Sequence, residues 1–362
     1  MPLILRCWWS ILVGVNFGVA ATFAAAPPLP EQMGTVLLDA QEAPFPPGPR
    51  SIAVHIRYPG AGAKLAGVRP TTGLMLSLHN WGGTAFAGTA DPGILAQQYD
   101  VVAVGVDYLH SGKESASPES PPYDHGYLQA LDALRALHYV FDGLKRRGIA
   151  FDDRRIFTTG GSGGGNVSLM ANKFAPRTFT AVVDMCGMKR LSDDAAFHLP
   201  GGSGLDARYS RDPQSPYYLS PDAQEIRFVG HPGHARTMKQ LGCTAKIITV
   251  HGPDDASCPF AEAEECAANL RAAGLDYTLV AVTKDRLDGT AFLSTGHALG
   301  NRTLIVDRVA GKYLDPKSPE ALRRAGPTDF ERREVVRYET VGGTWTIDYA
   351  AGFPIGRFEP AK

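Results

Sequence analysis

Arg155-Ile156-Phe157-Thr158-Thr159-Gly160-Gly161-Ser162-Gly163-Gly164 decides how the chain reads. Its first half is a short run of apolar and β-branched residues, the composition of a buried strand. A helical pattern follows from about Asn166 to Phe174. Between them, Gly160-Gly161-Ser162-Gly163-Gly164 matches G-x-S-x-G in the strand–turn–helix context that the motif requires. The reason is steric. A serine on so tight a turn leaves no room for side chains two positions either side, so glycines stand there. The start of the following helix places backbone N–H groups beside the hydroxyl, where a negative charge can be stabilised. Ser162 is therefore the expected nucleophile of an acyl-transfer reaction.

Upstream, Ser51 to Tyr58 alternates as a half-exposed strand does. Leu74 to Leu78 and Val101 to Val106 are short apolar runs with a helical stretch, Gly93 to Tyr99, between them. Leu128, Leu131, Leu134, Leu137, Phe141 and Leu144 then recur at helical spacing as far as Gly148. Downstream, strands are expected over Phe179–Met185, Ala245–Val250 and Tyr277–Val282, with a helix over Ala261–Ala273. This alternation predicts an α/β fold: a mostly parallel sheet with helices on both faces. Residues 187–242 break the rhythm and read as an irregular, lid-like insert. Gly342-Gly343, between two alternating runs, predicts a C-terminal β-hairpin. The expected organisation is a leader over 1–26, a catalytic domain over 30–300, and an extension over 301–362.

A serine hydroxyl needs a base, and the chain order that accompanies such a turn is nucleophile, acid, histidine. The strand ending at Val250 runs into His251-Gly252-Pro253-Asp254-Asp255. Asp255 is the expected orienting acid, with Asp254 as rival and Asp184 as a distant third. His297 follows the last strand and is the expected general base. His231 and His234 precede the acid and break the order. His251 is expected to shape the acid loop, and His198 to line the pocket or lie on the surface. His79-Asn80-Trp81-Gly82-Gly83 follows an early strand, where a second oxyanion donor arises. The expected donors are the N–H groups of Trp81 and Gly163.

With Gly161-Ser162-Gly163-Gly164 and His251-Gly252-Pro253-Asp254-Asp255 in place, the chain resembles the α/β-hydrolase superfamily. Within it the chain is similar to the prolyl-oligopeptidase and dienelactone-hydrolase branch, over about residues 50 to 300. The resemblance implies a Ser162–Asp255–His297 triad and acyl transfer through an acyl-enzyme with no metal or cofactor. It departs from the branch at Asn80, where a glycine is common. Too few residues lie upstream for a β-propeller, and neither the insert nor the hairpin has a counterpart that we recognise.

The 362 residues are 44% hydrophobic and 20% charged, with 36 basic against 37 acidic side chains. That is enough to bury a large core, and no basic stripe points to nucleic acid. A charged start, an apolar run from Cys7 to Ala26, and Pro27-Pro28 read as a secretory signal peptide. An uncleaved anchor is the bland alternative. The expected location is secreted or periplasmic, with no stable membrane insertion after cleavage. Cys186, Cys243, Cys258 and Cys266 would remain, either as disulfides in one of three connectivities or as buried free thiols. The leading expectation is a carboxylic-ester hydrolase acting on a small-molecule or polymer ester. A prolyl-oligopeptidase-type peptidase is the runner-up, and a non-catalytic binding protein on the same scaffold is third.

Overall fold

A computed structural model describes residues 25–45, 47–112 and 121–362, so most of the expected signal peptide lies outside the described residues. Eight strands form one sheet: β1 (Gly34–Ala40), β2 (Arg50–Arg57), β3 (Gly73–Leu78), β4 (Val101–Asp107), β5 (Ile156–Gly161), β6 (Ala181–Met185), β7 (Lys246–His251) and β8 (Tyr277–Ala281). Their order is β1-β2-β4-β3-β5-β6-β7-β8. The two N-terminal strands run antiparallel, and every pair from β4 to β8 is parallel. The fold is an α/β-hydrolase fold, as the motif order predicts.

Helices cover both faces of the sheet, which explains the continuous apolar runs of β3, β4 and β5. One face packs against α2 (Tyr127–Arg146), α3 (Gly163–Phe174) and α7 (Phe260–Ala272). The leucines spaced along α2 are all buried there. The other face packs against α1 (Pro92–Tyr99) and α8 (Arg302–Leu314). Helix α8 lies beyond residue 300, yet Ile305, Val306 and Ala310 are fully buried beneath the sheet. It belongs with the hydrolase core rather than with the expected C-terminal extension over 301–362.

Two further differences have clear physical causes. Helix α3 begins at Gly163, three residues before the expected Asn166. Three successive glycines are poor helix formers by propensity, but tertiary contact at the turn overrides that preference. The expected hairpin is a three-stranded antiparallel sheet, β9 (Val335–Thr340), β10 (Gly343–Asp348) and β11 (Ile355–Pro360). Strand β11 pairs antiparallel with β10 from Gly343 to Asp348, across a six-residue connection that contains Gly352 and Pro354. The insert is more regular than its composition indicates. It carries α4 (Asp193–Phe197), α5 (Pro221–Ile226) and α6 (Pro232–Gln240), followed much later by the single turn α9 (Asp329–Arg332). Among the described residues no helix is long and apolar enough to cross a membrane, and all four cysteines are buried free thiols.

Candidate active site

Strand β5 delivers Ser162 to the carboxyl edge of the sheet, where sites gather in folds of this type. Ser162 has φ 56° and ψ −122°, a conformation that L-residues avoid. Such strain costs about 1–3 kcal/mol and persists only where the surroundings impose it. Here the Ser162 N–H donates to the Met185 carbonyl of β6 at 2.8 Å. A Cβ on Gly160 would lie 2.2 Å from the Gly164 carbonyl oxygen, and one on Gly164 would lie 2.1 Å from that of Leu78. Only glycine fits at these two positions.

Loops after β7 and β8 bring the other two residues to Ser162. His297 Nε2 lies 2.8 Å from Ser162 Oγ, and His297 Nδ1 lies 2.8 Å from Asp255 Oδ2. With the Nδ1 proton donated to the carboxylate, Nε2 is left to accept from the serine hydroxyl. Asp255 is buried, and its Oδ1 accepts from the N–H groups of Ser257 and Cys258, each at 2.9 Å. Burial alone would raise the Asp255 pKa. Hydrogen bonds from His251, His297 and the Cys258 N–H outweigh it and hold the carboxyl well below the usual range. His251 thus shapes the acid loop, with Nε2 2.8 Å from the Cys258 carbonyl and 3.2 Å from Asp255 Oδ2.

The rival acids are occupied elsewhere. Asp254 accepts from the Thr295 hydroxyl at 2.6 Å, across the loop that carries His297. Asp184 is buried against Lys189 at 2.7 Å and Thr249 at 2.9 Å. His198 is exposed, and His231 and His234 pack between α5, α6 and β9, away from Ser162.

Trp81 and Gly163 come together as expected, since a Cβ on Gly163 would lie 2.7 Å from Trp81 N. Neither backbone N–H has a hydrogen-bond partner among the described residues, so both can serve an oxyanion. The Asn80 side chain turns away, into space left by Gly83 and Gly88. His79 pins the loop: its ring stacks on Tyr108 at 4.0 Å, and Nδ1 lies 2.7 Å from the Asn80 carbonyl. Burial lowers the His79 pKa to about 4, so it is neutral near pH 7.

A pocket of only about 80 Å³ opens beside Ser162, lined by Trp81, Tyr123, His125, Met188 and Leu205 among others. Sequence reasoning missed Tyr123 and His125, because no periodicity or motif marks them. Tyr123 stacks on Trp81 with ring centroids 3.7 Å apart. Burial lowers His125 to about 4 and keeps it neutral. The insert does cover the pocket, through Met188 and Leu205 with Ala195, Ala196 and Ala207 behind them. Its tyrosines, Tyr209, Tyr217 and Tyr218, do not line this pocket.

Among the described residues, two clusters place three metal-ligating groups within 4.8 Å of one another: Cys186–Asp255–His297 and Glu225–His231–His234. In the first, Asp255 and His297 are bonded into the chain to Ser162, and burial pushes the Cys186 thiol up and keeps it protonated. In the second, His231 lies 3.3 Å from Glu225, and His234 lies 2.9 Å from the Glu339 carbonyl of β9.

Residues 135–286 match the prolyl oligopeptidase family. The acylaminoacyl peptidase of Pyrococcus horikoshii superposes with a TM-score of 0.54 at 14% identity, covering 80% of this chain and 43% of that one. Porphyromonas gingivalis dipeptidyl peptidase 4 gives 0.48 at 12% identity, over 78% of this chain and 35% of that one. Esterase 2 of Thermogutta terrifontis gives 0.39 at 14% identity, over 70% and 83%. This chain therefore spans about two fifths of the length of the acylaminoacyl peptidase that it matches. No curated protein matches the sequence. The fold is that of the α/β-hydrolases, and within it residues 135–286 are similar to the prolyl oligopeptidase family.

Proposed function

We propose that this protein is a serine peptidase of the prolyl oligopeptidase type, acting on substrates with a small acyl moiety. The observation that carries the chemistry is the hydrogen-bonded chain Ser162–His297–Asp255 beside two unpaired N–H groups. His297 takes the Ser162 proton as Oγ attacks the carbonyl carbon. The N–H groups of Trp81 and Gly163 hold the developing oxyanion. His297⁺, steadied by Asp255, returns the proton to the leaving amine, and an acyl-enzyme remains on Ser162. Water, deprotonated by His297, then releases the acid.

The family match favours amide over ester cleavage. A pocket of about 80 Å³ supports an acyl unit no larger than acetyl or alanyl. Ester hydrolysis, the activity expected first from the sequence, is the second reading, because an alkoxide leaves more readily than an amine from the same intermediate. Side-by-side turnover of alanine p-nitroanilide, p-nitrophenyl acetate and p-nitrophenyl octanoate tests both. Alanine p-nitroanilide and the acetate are expected to turn over, and the octanoate poorly. Ester turnover without any amide turnover would remove the peptidase reading. Undiminished turnover in Ser162→Ala, or failure of a fluorophosphonate to label Ser162, would remove both readings in favour of a binding protein.

Export is also proposed, on the composition of residues 1–26. Small residues at Val19 and Ala21 point to cleavage after Ala21. The amino terminus of protein recovered from the periplasm or medium should then be Thr22, and an intact Met1 there would count against the signal.

A further inference from the structure

A second cavity, of about 400 Å³, lies on the far side of the segment that walls the catalytic pocket. Alternate residues of that segment face the two spaces. Tyr123 and His125 line the pocket beside Ser162, whereas Pro122 and Asp124 line the larger cavity. Its size falls within the range of small-molecule sites, roughly 300–1,000 Å³.

Parts of the molecule that are distant in sequence build it, with residues 41–45 and His110 on its wall. Tyr127 comes from the first turn of α2, Tyr209 and Tyr218 from the insert, and Trp345 and Phe358 from the C-terminal sheet. The Trp345 ring lies 4.6 Å from that of Tyr127 and 5.0 Å from that of Phe358. Flat rings at several angles suit a flat ring between them. The charges in the lining cancel where they are deepest: Arg227 Nη2 donates to Asp124 Oδ1 at 3.0 Å, and both side chains are buried. A neutral ligand therefore loses nothing to an unpaired charge.

Two polar groups in the lining lack partners. Tyr127 is 6% exposed, yet its hydroxyl has no hydrogen-bond partner among the described residues. That hydroxyl stands at the cavity wall, since a Cβ on the lining residue Gly356 would lie 2.3 Å from it. His110 Nδ1 accepts from the Asp124 N–H at 3.1 Å, which leaves the proton of the neutral ring on Nε2. His110 Nε2 is buried and likewise unpartnered. Buried donors without acceptors cost roughly 1–3 kcal/mol each, which an oxygen on the ligand would recover.

We infer that this cavity binds a neutral aromatic molecule carrying an oxygen acceptor, at a site separate from Ser162. The inference stands apart from the peptidase reading. Isothermal titration with 2-naphthol at pH 7 tests it on the full chain, before and after a fluorophosphonate blocks Ser162. For about eleven non-hydrogen atoms, one site with Kd on the order of 100 μM is expected. Binding should survive the blocking of Ser162. Tyr127→Phe should weaken it by roughly three- to tenfold, and Ala223→Trp, which fills the cavity, should abolish it in protein whose near-ultraviolet circular dichroism is native. If Ala223→Trp does not fold, Tyr127→Phe alone decides. Loss of binding on blocking Ser162, unchanged affinity in Tyr127→Phe, or no saturable binding at millimolar probe would each overturn the inference.

Discussion

The turn that carries Ser162 and the turn that carries Asp255 follow β5 and β7, two strands apart on the same sheet edge. They hold their side chains by different means. Ser162 is held by backbone: a positive φ, an N–H bond to the neighbouring strand, and carbonyls packed where Cβ atoms would otherwise stand. Asp255 is held by hydrogen bonds: two backbone N–H groups on one oxygen and two imidazoles on the other. Sterics place the nucleophile, whereas electrostatics place and ionise the acid. The first design tolerates no extra atom. The second tolerates no change of charge.

Substitutions on each side can break this contrast. The largest effect should come from Ser162→Ala, which removes the attacking atom. By analogy with other serine hydrolases kcat should fall by roughly 10⁴–10⁶-fold, with the protein still folded. Residual activity within tenfold of wild type would mean another residue attacks. Asp255→Asn should follow at about 10⁴-fold in kcat, because an amide holds His297 in the wrong tautomer. Asp254→Asn is the matched control and should cost less than about tenfold, since among the described residues the Asp254 carboxylate accepts from the Thr295 hydroxyl alone. Equal losses in the two variants would return the acid role to Asp254.

Smaller effects concern stability. Gly164→Ala forces a Cβ onto the Leu78 carbonyl and should destabilise by about 1–3 kcal/mol in chemical denaturation. Gly296→Ala, beside His297, meets nothing closer than 3.4 Å and should change stability by less than about 0.5 kcal/mol. Acid unfolding probes the electrostatic side. The Asp255 pKa is depressed in the folded state, so its contribution is complete above the unfolded value, about 3.9, and is lost as pH falls below it. Wild-type Tm should drop in that window, and Asp255→Asn should drop less steeply. Parallel Tm curves for the two proteins would show that the carboxylate adds nothing to folding.

The same contrast separates what the chain displays locally from what it does not. Gly160-Gly161-Ser162-Gly163-Gly164 is legible because its constraint is local: strand, turn and helix adjoin in the chain, and the sterics act over two residues. The order Ser162, Asp255, His297 is legible because parallel strands deliver their carboxyl ends to one edge, so the loops that follow must converge. Neighbouring acids can be ranked from sequence but not separated, because Asp254 and Asp255 differ by one residue of loop register. Packing around His251 and the N–H groups of Ser257 and Cys258 separates them.

By itself, then, the sequence determined the strand–helix rhythm, the glycine-flanked turn at Ser162 and the chain order of Ser162, Asp255 and His297, because these depend on near neighbours and on the handedness of parallel crossovers. Only the tertiary structure decided the size of the pocket, the placement of Tyr123 and His125 in its wall, and the place of α8 beneath the sheet. It alone joined Tyr127, Tyr209 and Trp345 around one cavity. Those features arise from contacts between residues tens to hundreds of positions apart, and no local pattern records them because hydrophobic burial rewards any partner of the right shape.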